Sequence, residues 1–490
     1  MPARSTRHSR SASPEPQLRG PLDVGPHDRR ILSKLLKLSP QQVADFRGAI
    51  AEGSERWSLD YVKDSGERIL IPVNPVPVLP TRRQLTYLKR VVAVLNGVVA
   101  RVGEARLKDP VLQAMLELSD AELRWLAFAS KAPGHPARRV FHRWDAAIEL
   151  ANDIGAGHTK FFEVNSVDVG GVHYAAATRA VLLEALQSVG VKGLSLSSAT
   201  AGRDPRAVLL ADLREHARDI GRELRFVAIA ENQEFDAGVT EAPSLARYFR
   251  EHGVAAECVD PRNFELSRRK VVTYQGRAVD VIYRNIELRD VVDLEDEGHD
   301  LAAFRAAAQQ GLFFSSPHGE LDHKSLWEVL GAPDHWPSLS AAERRAVARH
   351  IPWTRLVAER NTQGPSGNMI DLPEYVRRYR NRLVLKPNRS CGGQGVTIGS
   401  VTSRADWERT LDEALAAPCS WVVQEVIAIP RRRSVALGED GSFVSEKVFG
   451  VYGLFASSAG LAILGRASRN PVVNVMQGGG MLAVLGLDER

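Results

Sequence analysis

The sequence is short of the residues that staple small or secreted folds. It has three cysteines in 490 residues, Cys258, Cys391 and Cys419. They are odd in number, far apart and without a C-x-x-C pair. That argues against a disulfide framework and a zinc-finger site, and it suits a reducing cytosol. The opening Met-Pro-Ala-Arg-Ser-Thr-Arg-His-Ser-Arg has no apolar segment, so it does not read as a secretory signal. One uncharged run, Val448 to Gly465, reaches 18 residues, near the minimum for a spanning helix. However, it contains Gly450, Gly453, Gly460 and Gly465 with Ser457-Ser458 in the middle. It reads better as two apolar strands around a Ser-Ser-Ala-Gly turn, and no membrane partner is expected. There is no internal repeat, no G-x-x-x-x-G-K-[ST] P-loop and no G-x-G-x-x-G fingerprint.

What is present is an ordinary soluble composition, 44% hydrophobic and 25% charged. The length exceeds one ordinary core, so two or three packed units are expected. The formal charge is +5, and the first 30 residues hold six Arg against three acids. The rest is close to neutral, so nucleic acid is not an expected partner. Residues 1–28 are rich in Arg, Ser and Pro and read as a disordered basic tail.

Residues 29 to 130 look helical. Ser39-Pro40 and Thr81-x-x-Gln84 are helix starts, the second followed by Leu85, Leu88, Val92 and Leu95 at helical spacing. Pro72 to Pro77 reads as a loop. Phe226–Ala230, Ala255–Val259 and Val279–Tyr283 read as strands with a helix from Ser244 to His252 between the first two. That spacing predicts a parallel, Rossmann-like layer over 205–330. From about 345 the pattern is α+β, with strands at Arg382–Lys386 and Trp421–Glu425 and a helix at Ala405–Ala417.

Three features carry chemistry. In Leu385-Lys-Pro-Asn-Arg-Ser-Cys-Gly-Gly-Gln-Gly-Val396 a lysine, Lys386, ends an apolar strand, and a loop with Gly392, Gly393, Gln394 and Gly395 follows. Backbone N–H groups can approach phosphates where glycine removes the side chain, and the ammonium adds charge. In Val422-Val-Gln-Glu-Val426 a strand exposing Gln424 and Glu425 could bond an adenine edge and a ribose hydroxyl. In Arg143-Trp-Asp145 followed by Lys160-Phe-Phe-Glu-Val-Asn165, Glu163 and Asn165 share one strand face. With Asp145 nearby they form a hard oxygen set suited to Mg²⁺. Taken singly, each has a plain structural reading: a turn exit, a strand end, a solvated acid.

Together, in this order, the three features resemble glutathione synthetase and its relative glutathionylspermidine synthetase, across roughly 140 to 490. The resemblance implies an α/β, circularly permuted ATP-grasp fold with an inserted Rossmann-like substrate layer. It implies a helical region plus metal-binding strands over 29–204, a substrate domain over 205–330 and nucleotide-binding lobes over 331–490. The activity implied is ATP-dependent ligation of a small-molecule carboxylate to an amine through an acyl-phosphate, in the cytoplasm, with ATP and Mg²⁺ as cofactors. Asp145, Glu163 and Asn165 would bind magnesium. Arg143 would stabilise the transferring phosphoryl group, with Arg466 on the substrate side. Lys324, Lys386, the glycine loop, Gln424 and Glu425 would hold ATP, and loops 390–395 and 455–480 would close over it.

The sequence departs from that pattern in two places. Ser390 stands where glutathione synthetase has an acid, and Ala467 stands where a lysine follows its C-terminal arginine. Glutathione is therefore not implied as the product. There is no amidase-like segment, so the bifunctional spermidine enzyme is excluded. A nucleotide-binding protein without ligase activity is the rival reading. Nothing in the sequence specifies an oligomeric state or the two substrates.

Overall fold

The computed structural model describes residues 19–487, other than 23–24, 64, 133–138, 151–158, 235–237, 240, 332–338, 391–392, 474 and 476–477. The fold is mixed α/β, with fifteen α-helices and several separate sheets among the described residues.

Local chemistry starts the helices where the sequence predicts. Ser39 accepts from the Gln42 backbone N–H and opens helix Pro40–Arg56. Thr81 does the same for Gln84 and opens Arg82–Arg106. Leu88, Val92, Leu95, Val99 and Val102 form the fully buried stripe of that helix. Each such side chain contributes roughly 1.5–3 kcal/mol relative to exposure, so the stripe and not helix propensity holds this element down.

The largest sheet has seven strands. Its centre is the 15-residue strand Phe443–Ser457, which forms a hairpin with Gly460–Ser468 closed at Ser457–Gly460. This is the expected turn in the uncharged run. On its other side the long strand has two neighbours. Its first half pairs with Ile429–Leu437, and its second half, Tyr452 to Phe455, pairs with Arg143–Ile148. Thr159–Asn165 pairs beyond that. One long strand thus joins the 143–165 segment to the C-terminal hairpin. Trp144 packs on Phe161 and Trp327 beneath this junction.

A second sheet is all parallel, in the order Phe313–Phe314, Val281–Arg284, Phe226–Ala230, Ala255–Val259. Helix Ala242–Glu251 buries Leu245 and Phe249 against this unit. A third sheet is antiparallel: Thr354–Leu356, Trp421–Glu425, Leu383–Pro387, Thr397–Ile398. Its buried side carries Leu383, Leu385 and Val423 against Trp407 and Leu411 of helix Arg404–Ala416.

Three expectations need adjustment. The basic tail is assigned to 1–28; residues 1–18 lie outside the described residues, but Arg19–Leu22 pairs in parallel with the Ile429 strand and Pro26–Leu35 is a helix. The helical reading of 29–130 misses a hairpin, Asp60–Val62 with Arg68–Leu70. The 455–480 segment is not one loop, because Gly460–Ser468 is a sheet strand with Leu461 to Leu464 buried. The apolar residues there are consecutive and are buried on both faces of the sheet. Among the described residues no helix is long and apolar enough to cross a membrane.

Candidate active site

Side chains alternate across a strand, and residues directly opposite in antiparallel strands share a face. Arg143 lies opposite Asn165, and Asp145 opposite Glu163. These four side chains therefore form one tile. Gly453 of the central strand lies opposite Asp145. A Cβ at Gly453 would stand 2.8 Å from the Arg143 Cδ and 3.0 Å from the Asp145 Oδ1. The missing side chain is what lets Arg143 lie across the sheet.

Asp145 is the hub of the tile. Its Oδ1 accepts from Arg143 Nε at 2.9 Å, and its Oδ2 accepts from Arg143 Nη2 at 3.0 Å and from Arg466 Nη2 at 2.8 Å. The Asn165 amide approaches Oδ2 at 3.4 Å. Burial pushes the Asp145 carboxyl up, but the two guanidiniums outweigh it and hold it below its ordinary 3.8. Arg143 also donates Nη1 to the Gly170 carbonyl at 2.6 Å, which ties the following loop to the tile.

The lysine side is built from the antiparallel sheet. Lys386 stands at the end of Leu383–Pro387 and donates to Gln424 Oε1 at 2.7 Å. Its Nζ lies 5.6 Å from the centre of the Phe162 ring, on the strand that carries Glu163. Burial lowers the Lys386 ammonium to about 8; Glu163 opposes this and Lys324 adds to it. Lys324 lies just before helix Leu326–Gly331. It is 7% exposed and donates to the Ser390 carbonyl at 2.6 Å. Its own N–H bonds Asn388 O, so the 388–390 turn and the 324 segment hold each other. Gly393 and Gly395 both have positive φ, as a loop meant to present backbone N–H groups requires. Gly392 lies outside the described residues.

Gln424 and Glu425 do not face one ligand together. They are adjacent in a strand, so they point to opposite faces. Gln424 is buried and joins Lys386 to Thr354 Oγ1 at 3.0 Å. Glu425 accepts from the Trp353 N–H at 3.3 Å. The expectation that the strand exposes both residues is corrected for Gln424.

The donor set has to be tested against magnesium. Both oxygens of Asp145 are taken by arginines, so in this arrangement it is not a free ligand. Among the described residues no group of three His, Cys, Asp or Glu is placed to hold a metal. Glu163 and the Asn165 Oδ1 remain on one face, across from Lys386. Mg²⁺ is commonly held by one or two carboxylates plus substrate phosphates and keeps several waters. Glu163 and Asn165 fit that thinner role, and Asp145 fits the role of arginine holder.

Several site residues carry no local sequence signal. Glu241, 5% exposed, accepts from four successive backbone N–H groups, Gly171 to Tyr174, at the start of helix Val172–Ser188. Its partners lie about 70 residues away, so only the fold reveals the pairing. Arg284, at the end of a parallel strand, is fully buried and spent on Ser315 O, Ile286 O and Glu320. Its neighbour Tyr283 is buried with an unpartnered hydroxyl. Asp168, just past the tile, is exposed.

No protein-family model and no curated protein matches the chain. Among solved structures, the fold is of the glutathione synthetase-like kind. A glutathione synthetase-like effector from Globodera pallida, solved in its apo form, matches with a TM-score of 0.59 at 10% identity, over 94% of this chain and 98% of that one. At that identity the likeness concerns the fold.

Proposed function

We propose that the chain is a Mg-ATP-dependent carboxylate–amine ligase with a circularly permuted ATP-grasp fold, acting in the cytoplasm on small-molecule substrates. The observation that carries the reading is one constellation built from distant segments: Arg143, Glu163, Asn165 and Arg466 on the large sheet, with Lys386 feeling the charges of Glu163 and Lys324. Lys386, Lys324 and the 393–395 turn hold the ATP phosphates. Arg143 and Arg466, set in place by Asp145, face the phosphoryl group as it passes to the carboxylate. Glu163 and Asn165 would hold magnesium, whose charge would offset that of the phosphate oxygens. Little covalent help is needed in such a transfer, so positioning and charge dominate. Water has to be kept from the acyl-phosphate, a role the resemblance gives to loops 390–395 and 455–480, of which 391–392, 474 and 476–477 lie outside the described residues.

The rival, nucleotide binding without ligation, is favoured by Ser390 in place of an acid. The two readings separate in an ATP-hydrolysis screen with amino acids, small peptides and polyamines, read by mass detection of the adduct. Ligation requires phosphate release and an adduct with some donor–acceptor pair. Tight ATP binding with neither across the panel supports the rival.

A further inference from the structure

Given the proposed ligation, the acyl-phosphate awaits a nucleophile, but an amine arriving as an ammonium ion has no lone pair. The lysines and arginines of the site cannot readily take its proton. Near enough to Arg143 to feel its charge is an exposed carboxylate, Asp168. It follows the tile strand by three residues and has φ of +47°, a left-handed conformation unusual outside glycine. Strain of this kind persists where surrounding structure imposes it. Here the Arg143 bond to Gly170 O, two residues on, holds the loop. No hydrogen bond from the described residues engages the Asp168 carboxylate.

The neighbours of Asp168 come from every side. Glu241, Asp290 and Glu231 repel its charge and Arg143 attracts it, while Glu287 and Tyr283 feel it in turn. The other acids are engaged. Glu241 caps a helix, Glu287 pairs with Arg289 at 2.7 Å and Glu231 bonds Cys258 and Asn285. Glu231 and Tyr283 stand at the carboxyl ends of the parallel strands, where open parallel sheets take their ligands. Tyr283 is 1% exposed and its hydroxyl has no partner. It is a polar group a bound ligand would satisfy.

We propose that Asp168 is the general base of the ligation. It accepts one proton from the acceptor's ammonium group. The freed nitrogen lone pair attacks the acyl carbon and the C–N bond forms. The carbon–oxygen bond to phosphate then breaks, and phosphate leaves with that electron pair and the nitrogen's second surplus proton. Asp168 returns its own proton to water. Burial and the surrounding acids raise this carboxyl to about 6, which keeps it ionised at neutral pH yet basic enough to act.

The test compares two acceptors in the full-length protein, with MgATP and a donor panel of amino acids, γ-glutamyl dipeptides and glutathione. Hydroxylamine is largely unprotonated at pH 7 and needs no base. Glycine, ethylamine and 1,4-diaminobutane are protonated and do. Asparagine tolerates left-handed backbone, so Asp168→Asn keeps the loop. The expected result is hydroxamate within about threefold of wild type and amide reduced about a hundredfold or more. The acid limb of kcat/KM near pH 6 should vanish with Asn and survive in Asp168→Glu. Equal loss of both products would overturn the base assignment and leave a structural role. Amide formation within about threefold of wild type would overturn it too. If wild type yields no hydroxamate with any donor, the ligase reading itself fails and this inference with it.

Discussion

Replacing Asp145 with Asn removes the charge that two buried arginines share. The Asp145 side chain is 2% exposed, against 12% for Arg143 and 14% for Arg466. The change turns one carboxylate and three charge-assisted bonds into a neutral amide between two cations. Removing one partner of a buried ion pair typically costs about 3–5 kcal/mol, because the remaining charge is left uncompensated. Burial this deep leaves little solvent screening, so the loss should reach at least about 3 kcal/mol. Equilibrium urea unfolding reads it, with Trp144, the fully buried neighbour on the same strand, as a fluorescent reporter. The pH dependence has a definite sign. The folded carboxyl titrates below 3.8, so its contribution is fully present above about pH 4 and is lost as pH falls through the lower folded value. The Asn variant should lack that acid-dependent component. ATP should partly restore stability, because its phosphates can neutralise the uncompensated arginines. A loss under about 1 kcal/mol, the value of an exposed pair, would refute the hub role.

Lys386→Ala should weaken ATP binding. With the wild-type ammonium at about 8 in the free protein, affinity measured by calorimetry should fall toward tenfold per pH unit above that value, and the variant should show no such slope. Arg143→Lys keeps the charge but loses the planar fork; turnover should fall by about a hundredfold or more, equivalent to roughly 3–4 kcal/mol, with ATP affinity nearly unchanged. A rate within a few-fold of wild type would refute its role at the phosphoryl group. Gly453→Ala places a methyl 2.8 Å from the Arg143 side chain; overpacking of about 1–3 kcal/mol is expected, and an unchanged melting temperature with unchanged turnover would show that Arg143 has room to move.

What could be read from the sequence was local. Ser39 and Thr81 announce their helices because a cap needs only three residues of chain. Trp421–Glu425 is found at its expected bounds because a short apolar strand between turns is a local pattern. Glu163 and Asn165 share a face because strand periodicity is two. Pairing across the chain was not legible. Asp145 reads as a metal ligand, and its bond to Arg466, 321 residues later, has no local signal. Gln424 reads as exposed until Lys386 and Thr354 are found on either side of it. The helix start that Glu241 caps lies about 70 residues away in sequence, and the acids around Asp168 come from other segments.

The central claim is transfer of phosphate to a carboxylate. The measurement that tests it is oxygen transfer from a carboxylate labelled with heavy oxygen, run with MgATP, an amine and each acid of the donor panel. An acyl-phosphate route predicts that, for the donor used, one labelled oxygen per turnover appears in the released phosphate. Phosphate released with the product amide but without label would contradict the account.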